Sequence, residues 1–151
     1  MSTRSLVARA TGQDTFVGRY VHFDGYPSGV GRSLWNVCRR TFEGDADRML
    51  ASIIDDNVGG IDDIDERAFR EGGKPVTRNG KVDADEYLLA DAQAAQFGCE
   101  YAYVFDRVVG SVTMRILKPV SLHDESFRWN CIADLPLDGP EPDWTALDDV
   151  R

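Results

Sequence analysis

Apolar positions along the chain follow two periods, and the switch between them marks the elements. Residues 5–11 and 15–23 alternate or run apolar around Gly12-Gln13-Asp14, the pattern of a β-hairpin. Val7, Phe16, Tyr20 and Phe23 are its expected buried side chains. From Ser28, placed to cap a helix, the period lengthens. Leu34, Val37, Cys38 and Phe42 recur at i, i+3, i+4 and i+8, one helical face, with Arg32, Asn36, Arg39, Arg40 and Glu43 opposite. Asp45 reads as the N-cap of a second helix that turns Met49, Leu50, Ile53 and Ile54 inward, and Asn57 with Gly59-Gly60 ends it.

Residues 58–83 are irregular, rich in Gly-Gly pairs and acids, with Asn79-Gly80 suited to a tight turn. Asp83 and Glu86 resemble a capping box that opens a third helix through Tyr87 and Leu88, closed by Gly98. Strand-like runs follow at 100–106, 111–117 and 126–132. Tyr101, Tyr103 and Phe105 share one face of the first, and the last brings Phe127, Trp129 and Cys131 together. This order predicts an α+β fold: a single compact domain over residues 1–133, a mainly antiparallel sheet with two to three helices packed on one face. Residues 134–151 form an acidic, proline-containing tail, expected to be partly extended or docked through Trp144.

Composition narrows the class. With 42% apolar and 28% charged residues in 151, the chain has the balance of one globular domain. No apolar run approaches the roughly 18 residues that span a bilayer, and the first ten residues are too broken by arginine for a secretory segment. A cytoplasmic protein is expected. Cys38, Cys99 and Cys131 are widely spaced and form neither a disulfide framework nor a metal knuckle; each sits in an apolar pattern and reads as a buried hydrophobe.

Charge changes the picture more. Residues 1–42 hold six arginines against Asp14 and Asp24, net +4, whereas the rest holds 11 basic against 24 acidic residues, net −13. Phosphate would be repelled by most of this surface, so non-specific nucleic-acid binding is not expected. A local contact through Arg32, Arg39 and Arg40 would need those arginines in one exposed stripe. The acidic remainder suits a basic partner.

Chemistry concentrates in the strand-to-helix hinge at residues 20–31. His22 and Asp24 stand two apart on a strand end and so share a face, where Asp24 could orient the imidazole as a general base or both could ligate a metal. No third or fourth ligand is visible, so no metal and no cofactor is expected. Gly25, Gly29 and Gly31 make a glycine-rich approach to a helix N-terminus, where Tyr26, Arg19 and Arg32 are the binding candidates for an anion. The spacing is neither a Walker loop nor a dinucleotide fingerprint, and turn chemistry explains the glycines as well. No Gly-x-Ser-x-Gly elbow is present, and the acids of 55–66 read as solvated surface.

Residues 20–32, Tyr-Val-His-Phe-Asp-Gly-Tyr-Pro-Ser-Gly-Val-Gly-Arg, resemble a Y-x-H-[aromatic]-D-G-Y-P-x-G-V-G signature of small uncharacterised bacterial and bacteriophage proteins. Residues 100–106 are similar to an aromatic Y-x-Y-x-[aromatic]-D strand of the same proteins. The resemblance covers the first 45 residues and that strand, and it implies a phage or mobile-element setting. The resulting expectation is a non-enzymatic acidic binding protein that acts on a bacterial host or defence protein. The alternative is a small enzyme or nucleotide-binding protein that uses the hinge.

Overall fold

The computed structural model describes residues 3–56, 60–72, 76–77, 87–124 and 126–151. Asn57 and Gly59, the Asn79-Gly80 turn and the Asp83/Glu86 box lie outside the described residues. The fold is α+β, a single domain built on a mixed, mostly antiparallel sheet.

The expected hairpin is β1 (Ser5–Ala10) and β2 (Phe16–Val21), paired from Ser5–Val21 to Ala10–Phe16. Thr11 N–H closes its turn on Thr15 O at 2.9 Å. The far edge of β1 takes β6 (Tyr101–Val108) in parallel, which puts the hairpin in mid-sheet. Two antiparallel steps add β7 (Ser111–Ser121) and β8 (Phe127–Pro136). The outer edge of β2 is shared by two short strands. Near Val21 it takes β3 (Ile61–Asp63), itself paired with β4 (Val76–Thr77). Along residues 17–19 it takes β5 (Leu88–Ala90).

Five helices are described. The first, α1, is a continuous run over 27–41, and α2 covers 46–55. Wide turns close both: Phe42 N–H reaches Val37 O (3.1 Å) and Asp56 N–H reaches Ala51 O (2.8 Å). Asp45 caps α2 as expected, accepting from Arg48 N–H at 3.1 Å. Then come α3 (Glu66–Gly72), α4 (Asp91–Gln96) and α5 (Trp144–Asp148).

The sheet separates two cores. On one face Val7, Val21, Tyr103, Phe105, Met114 and Ile116 meet the apolar sides of α1, α2, α3 and α5. On the other, Leu6, Ala8, Phe16, Tyr20, Ala102 and Val104 meet α4 and Leu89. A bulge at Ile132 lets β8 serve both: Ala133 and Leu135 pack with the first core, while Trp129 packs with the second.

Local expectations are corrected at four places. Leu88, expected in a helix, lies in β5, because pairing to β2 satisfies that strand's outer backbone groups, and the helix starts only after Ala90. Phe23 is 45% exposed, since β2 stops at Val21. Cys131, opposite Leu117 on the edge strand β8, is exposed, whereas burial pushes the thiols of Cys38 to about 11 and Cys99 to about 12. Ser28 does not cap α1: its N–H and hydroxyl both donate to the Asp148 carboxylate, at 2.9 and 2.5 Å.

The acidic tail is fastened by Trp144, which is 3% exposed and meets Trp35 edge-on with centroids 5.9 Å apart. Trp144→Ala is expected to destabilise the protein by about 3–5 kcal/mol, the usual cost of removing a buried large aromatic. Denaturant unfolding checks this; a loss below about 1 kcal/mol would mean that the tail is not part of the cooperative fold.

Candidate functional site

The hinge begins where β2 ends. His22 N–H donates to Ile61 O (2.9 Å) and Phe23 N–H to Asp62 O (3.0 Å), so the strand's last bonds already point at the β3 segment. Asp24 then takes a left-handed conformation, φ 54°, unusual for a residue with a side chain. Its carbonyl accepts from Val30 N–H at 2.8 Å and closes the turn into α1. Gly29 is required there, because a Cβ would lie 2.2 Å from the Asp24 carbonyl oxygen.

This pivot divides the expected pair. The His22 ring sits with its Nδ1 2.7 Å from Tyr20 Oη and packs edge-on to Phe23, with centroids 4.5 Å apart. Tyr20 in turn stacks with Tyr87 and meets Phe97 edge-on, which continues the aromatic cluster over the second core. Asp24 turns the other way, accepting from Tyr26 Oη–H at 3.2 Å beside Asp63, Asp65 and Glu66. Asp24 therefore does not orient the imidazole; Tyr20 does. The reason is local: the two residues share a strand face only while the strand continues, and it ends before either of them.

The other candidates also separate. Arg19 is buried, 5% exposed, and its Nε–H donates to Ile54 O (2.9 Å) at the C-terminal end of α2, a favourable place for a cation. Arg32 is exposed on α1 close to the start of α5, where it adds to the hydrogen bonds from Thr145 and Ala146 that hold the Asp143 carboxyl low. Neither lines the hinge pocket. The anion seat at the start of α1 is filled by Asp148, so the protein's own carboxylate stands where a phosphate was considered. Arg39 and Arg40 are exposed with Arg32 on α1. However, Arg39 lies over the Trp35 ring (5.2 Å) and donates to Gly139 O, and Arg40 is 3.6 Å from Glu66.

What the hinge does assemble is an acidic pocket of about 270 Å³ lined by Asp24, Tyr26, Ser33, Asp63, Asp65 and Glu66. Asp63 carries its effect most clearly. Partial burial raises its carboxyl first and the charge of Asp24 next, with Asp65 and Asp62 adding, against a backbone hydrogen bond from Ile64. The Tyr26 phenol is likewise raised, chiefly by its bond to Asp24. Of the exposed aromatic residues near the hinge, Tyr26 (37% exposed) lines this pocket, whereas Phe23 (45%) packs on His22 and Phe97 (39%) on Tyr20 and Tyr87. The chain offered no cue to Phe97, Asp63 or Glu66 as neighbours of the hinge, since each reaches it through tertiary pairing. Among the described residues no cluster of His, Cys, Asp and Glu has the form of a metal site, and no helix is long and apolar enough to cross a membrane.

No family model, no curated protein and no solved structure matches the chain. The residues alone define the site: an acidic and aromatic surface at the turn of the hinge.

A raised carboxyl has a fixed sign in stability. The protonated form of Asp63 is favoured by folding, so the stability it gives in acid is lost as pH rises through its folded-state value. Asp24→Asn removes the nearest like charge and is expected to move the Asp63 NMR titration midpoint down toward about 3.9, the ordinary carboxyl value. The accompanying loss of stability with rising pH should shrink; an unchanged midpoint would remove Asp24 as a cause.

Proposed function

We propose that the protein is a non-enzymatic binding protein of phage or mobile-element type that acts in the cytoplasm by docking its hinge surface on a basic bacterial protein. One observation carries the reading: the exposed Tyr26 ring lines a pocket rimmed by four carboxylates, with the exposed Phe23 one residue before Asp24 on the same hinge. Aromatic anchors next to like-signed charge are the composition of a docking surface for a partner of opposite sign. The net charge of −9 adds long-range attraction to such a partner. The phage setting rests on the resemblance of residues 20–32. The alternative, catalysis or nucleotide binding at the hinge, loses its support here, because His22 and Asp24 diverge and Asp148 holds the anion seat.

The test is a quantitative pull-down from bacterial lysate with wild-type protein and a Phe23→Ser, Asp65→Lys, Glu66→Lys variant. The expected result is a basic protein held by the wild type at low salt, released as salt rises, and bound at least about tenfold more weakly by the variant, or ~1.4 kcal/mol. A partner that the variant retains equally, or that resists salt, would sink the proposal.

A further inference from the structure

A second concave surface lies away from the hinge, on the face of the sheet that α4 covers only in part. It is a groove of about 480 Å³ between the β1–β2 turn and the β7–β8 hairpin. Its apolar lining comes from Phe16, Val104, Leu117, Leu122, Phe127 and Trp129. The cross-strand register explains this lining: Leu117 and Val104 are core positions of β7 and β6, and the bulge at Ile132 keeps Trp129 on their side. Trp129 is held by two contacts, its Nε1–H donating to Asp91 O at 2.9 Å and its ring meeting Phe16 edge-on at 5.5 Å. The wall is thus preformed. The volume lies in the range of small-molecule sites, and the lining joins apolar side chains to polar and charged ones.

The polar groups have a definite character. Arg115, half-buried on β7 opposite Val104, faces the groove, and Arg128 stands at its mouth. Among the described residues neither guanidinium makes a hydrogen bond or an ion pair. Asp14 and Asp91 line the opposite wall, and Asp134 is Arg115's cross-strand neighbour, yet none of them is bonded to it. A half-buried guanidinium with no protein acceptor among the described residues is free to take one from a ligand, and its planar fork suits a carboxylate or sulfonate. An aromatic wall of Phe16 and Trp129 with a guanidinium beside it selects a ligand of matching form.

We infer that this groove binds a small aromatic anion, its ring system against Phe16 and Trp129 and its acidic group on Arg115. The site goes beyond the hinge reading and does not depend on it. It also opposes the charge of the whole molecule: at net −9 the protein repels anions, so any preference for one must come from the groove itself.

Two probes of nearly equal shape test this. Anilinonaphthalene sulfonate carries the anionic group, and N-phenylnaphthylamine has the same rings without it. Fluorescence titration of the wild type is expected to show one site that holds the sulfonate at least about tenfold more tightly than the neutral amine. Arg115→Met should abolish or reverse that preference while the neutral amine still binds. Trp129→Ala should weaken both probes, with circular dichroism showing the fold retained. The hinge variant Phe23→Ser should change neither. Equal binding of the two probes by the wild type, a preference that survives Arg115→Met, or no binding of either would each overturn the proposal, leaving the hinge reading untouched.

Discussion

The hydrogen bond from Tyr103 Oη–H to the Gly25 carbonyl, 2.5 Å long and fully buried, is what fixes the hinge to the sheet. A buried phenol needs an acceptor, and here the hinge loop brings one, the Gly25 carbonyl, down onto β6. Burial raises the Tyr103 phenol well above its usual range, so it remains a neutral donor at any ordinary pH. Gly25 is held from its other side as well, its N–H donating to Thr3 O at 2.9 Å. The path of α1 follows, because the helix leaves this anchored point and crosses the same ring. At Gly31 a Cβ would stand 3.0 Å from the Tyr103 ring and 3.3 Å from Trp144, so a bare backbone there lets helix, strand and C-terminal segment meet. The seat of α5, and through Asp148 the capping of α1, depend on that contact.

Elements with strong local periodicity were legible in the chain. The β1–β2 hairpin, the apolar face of α1, the Asp45 cap and the starts of the three long strands lie within two residues of their expected places, and two of those strands run four residues past their expected ends. Their patterns are set by neighbours close in sequence, where period and cap chemistry decide. The order of the sheet was not legible in the same way. β1 reaches the centre only because β6, some 95 residues later, pairs with it in parallel, and no local pattern encodes that partner. The same holds for β5, where a Leu-Leu-Ala stretch that suits a helix is drawn into a strand by the open edge of β2. The bulge at Ile132 moved the far end of β8 to the other core, although the alternation of 126–132 was right up to that point.

The hinge shows where pattern reasoning stops for function. His22, Asp24 and Tyr26 were read within one hinge segment, yet with a positive φ at Asp24 the His22 ring goes to Tyr20 while Asp24 and Tyr26 bond to each other on another surface. Side-chain direction after a strand end is decided by one backbone angle, and composition does not reveal it. The groove was less visible still. Phe127 and Trp129 were read as strand partners, but Phe16 and Arg115 join them only through the register of four strands.

The uneven charge of the chain acquires a structural meaning. The arginines of the first 42 residues are largely spent within the molecule: Arg4 on the Phe97 carbonyl, Arg9 in a two-pronged bond to Asp55, Arg19 on the Ile54 carbonyl and Arg40 near Glu66. The basic segment is therefore the counterpart of the acidic remainder and fastens β1, β2 and α1 to it. Exposed pairs of this kind add little stability each, so their larger effect is on where unneutralised charge remains. It remains as carboxylate at the hinge, where burial first and the charges of Asp24 and Asp65 next raise Asp63, and as guanidinium at the groove, where Arg115 and Arg128 have no partner among the described residues. A chain selected only for folding would relieve both by pairing them. That it leaves clustered carboxylates at one concave surface and guanidinium groups without a protein partner among the described residues at another is the strongest physical reason to look for ligands that pair with those groups.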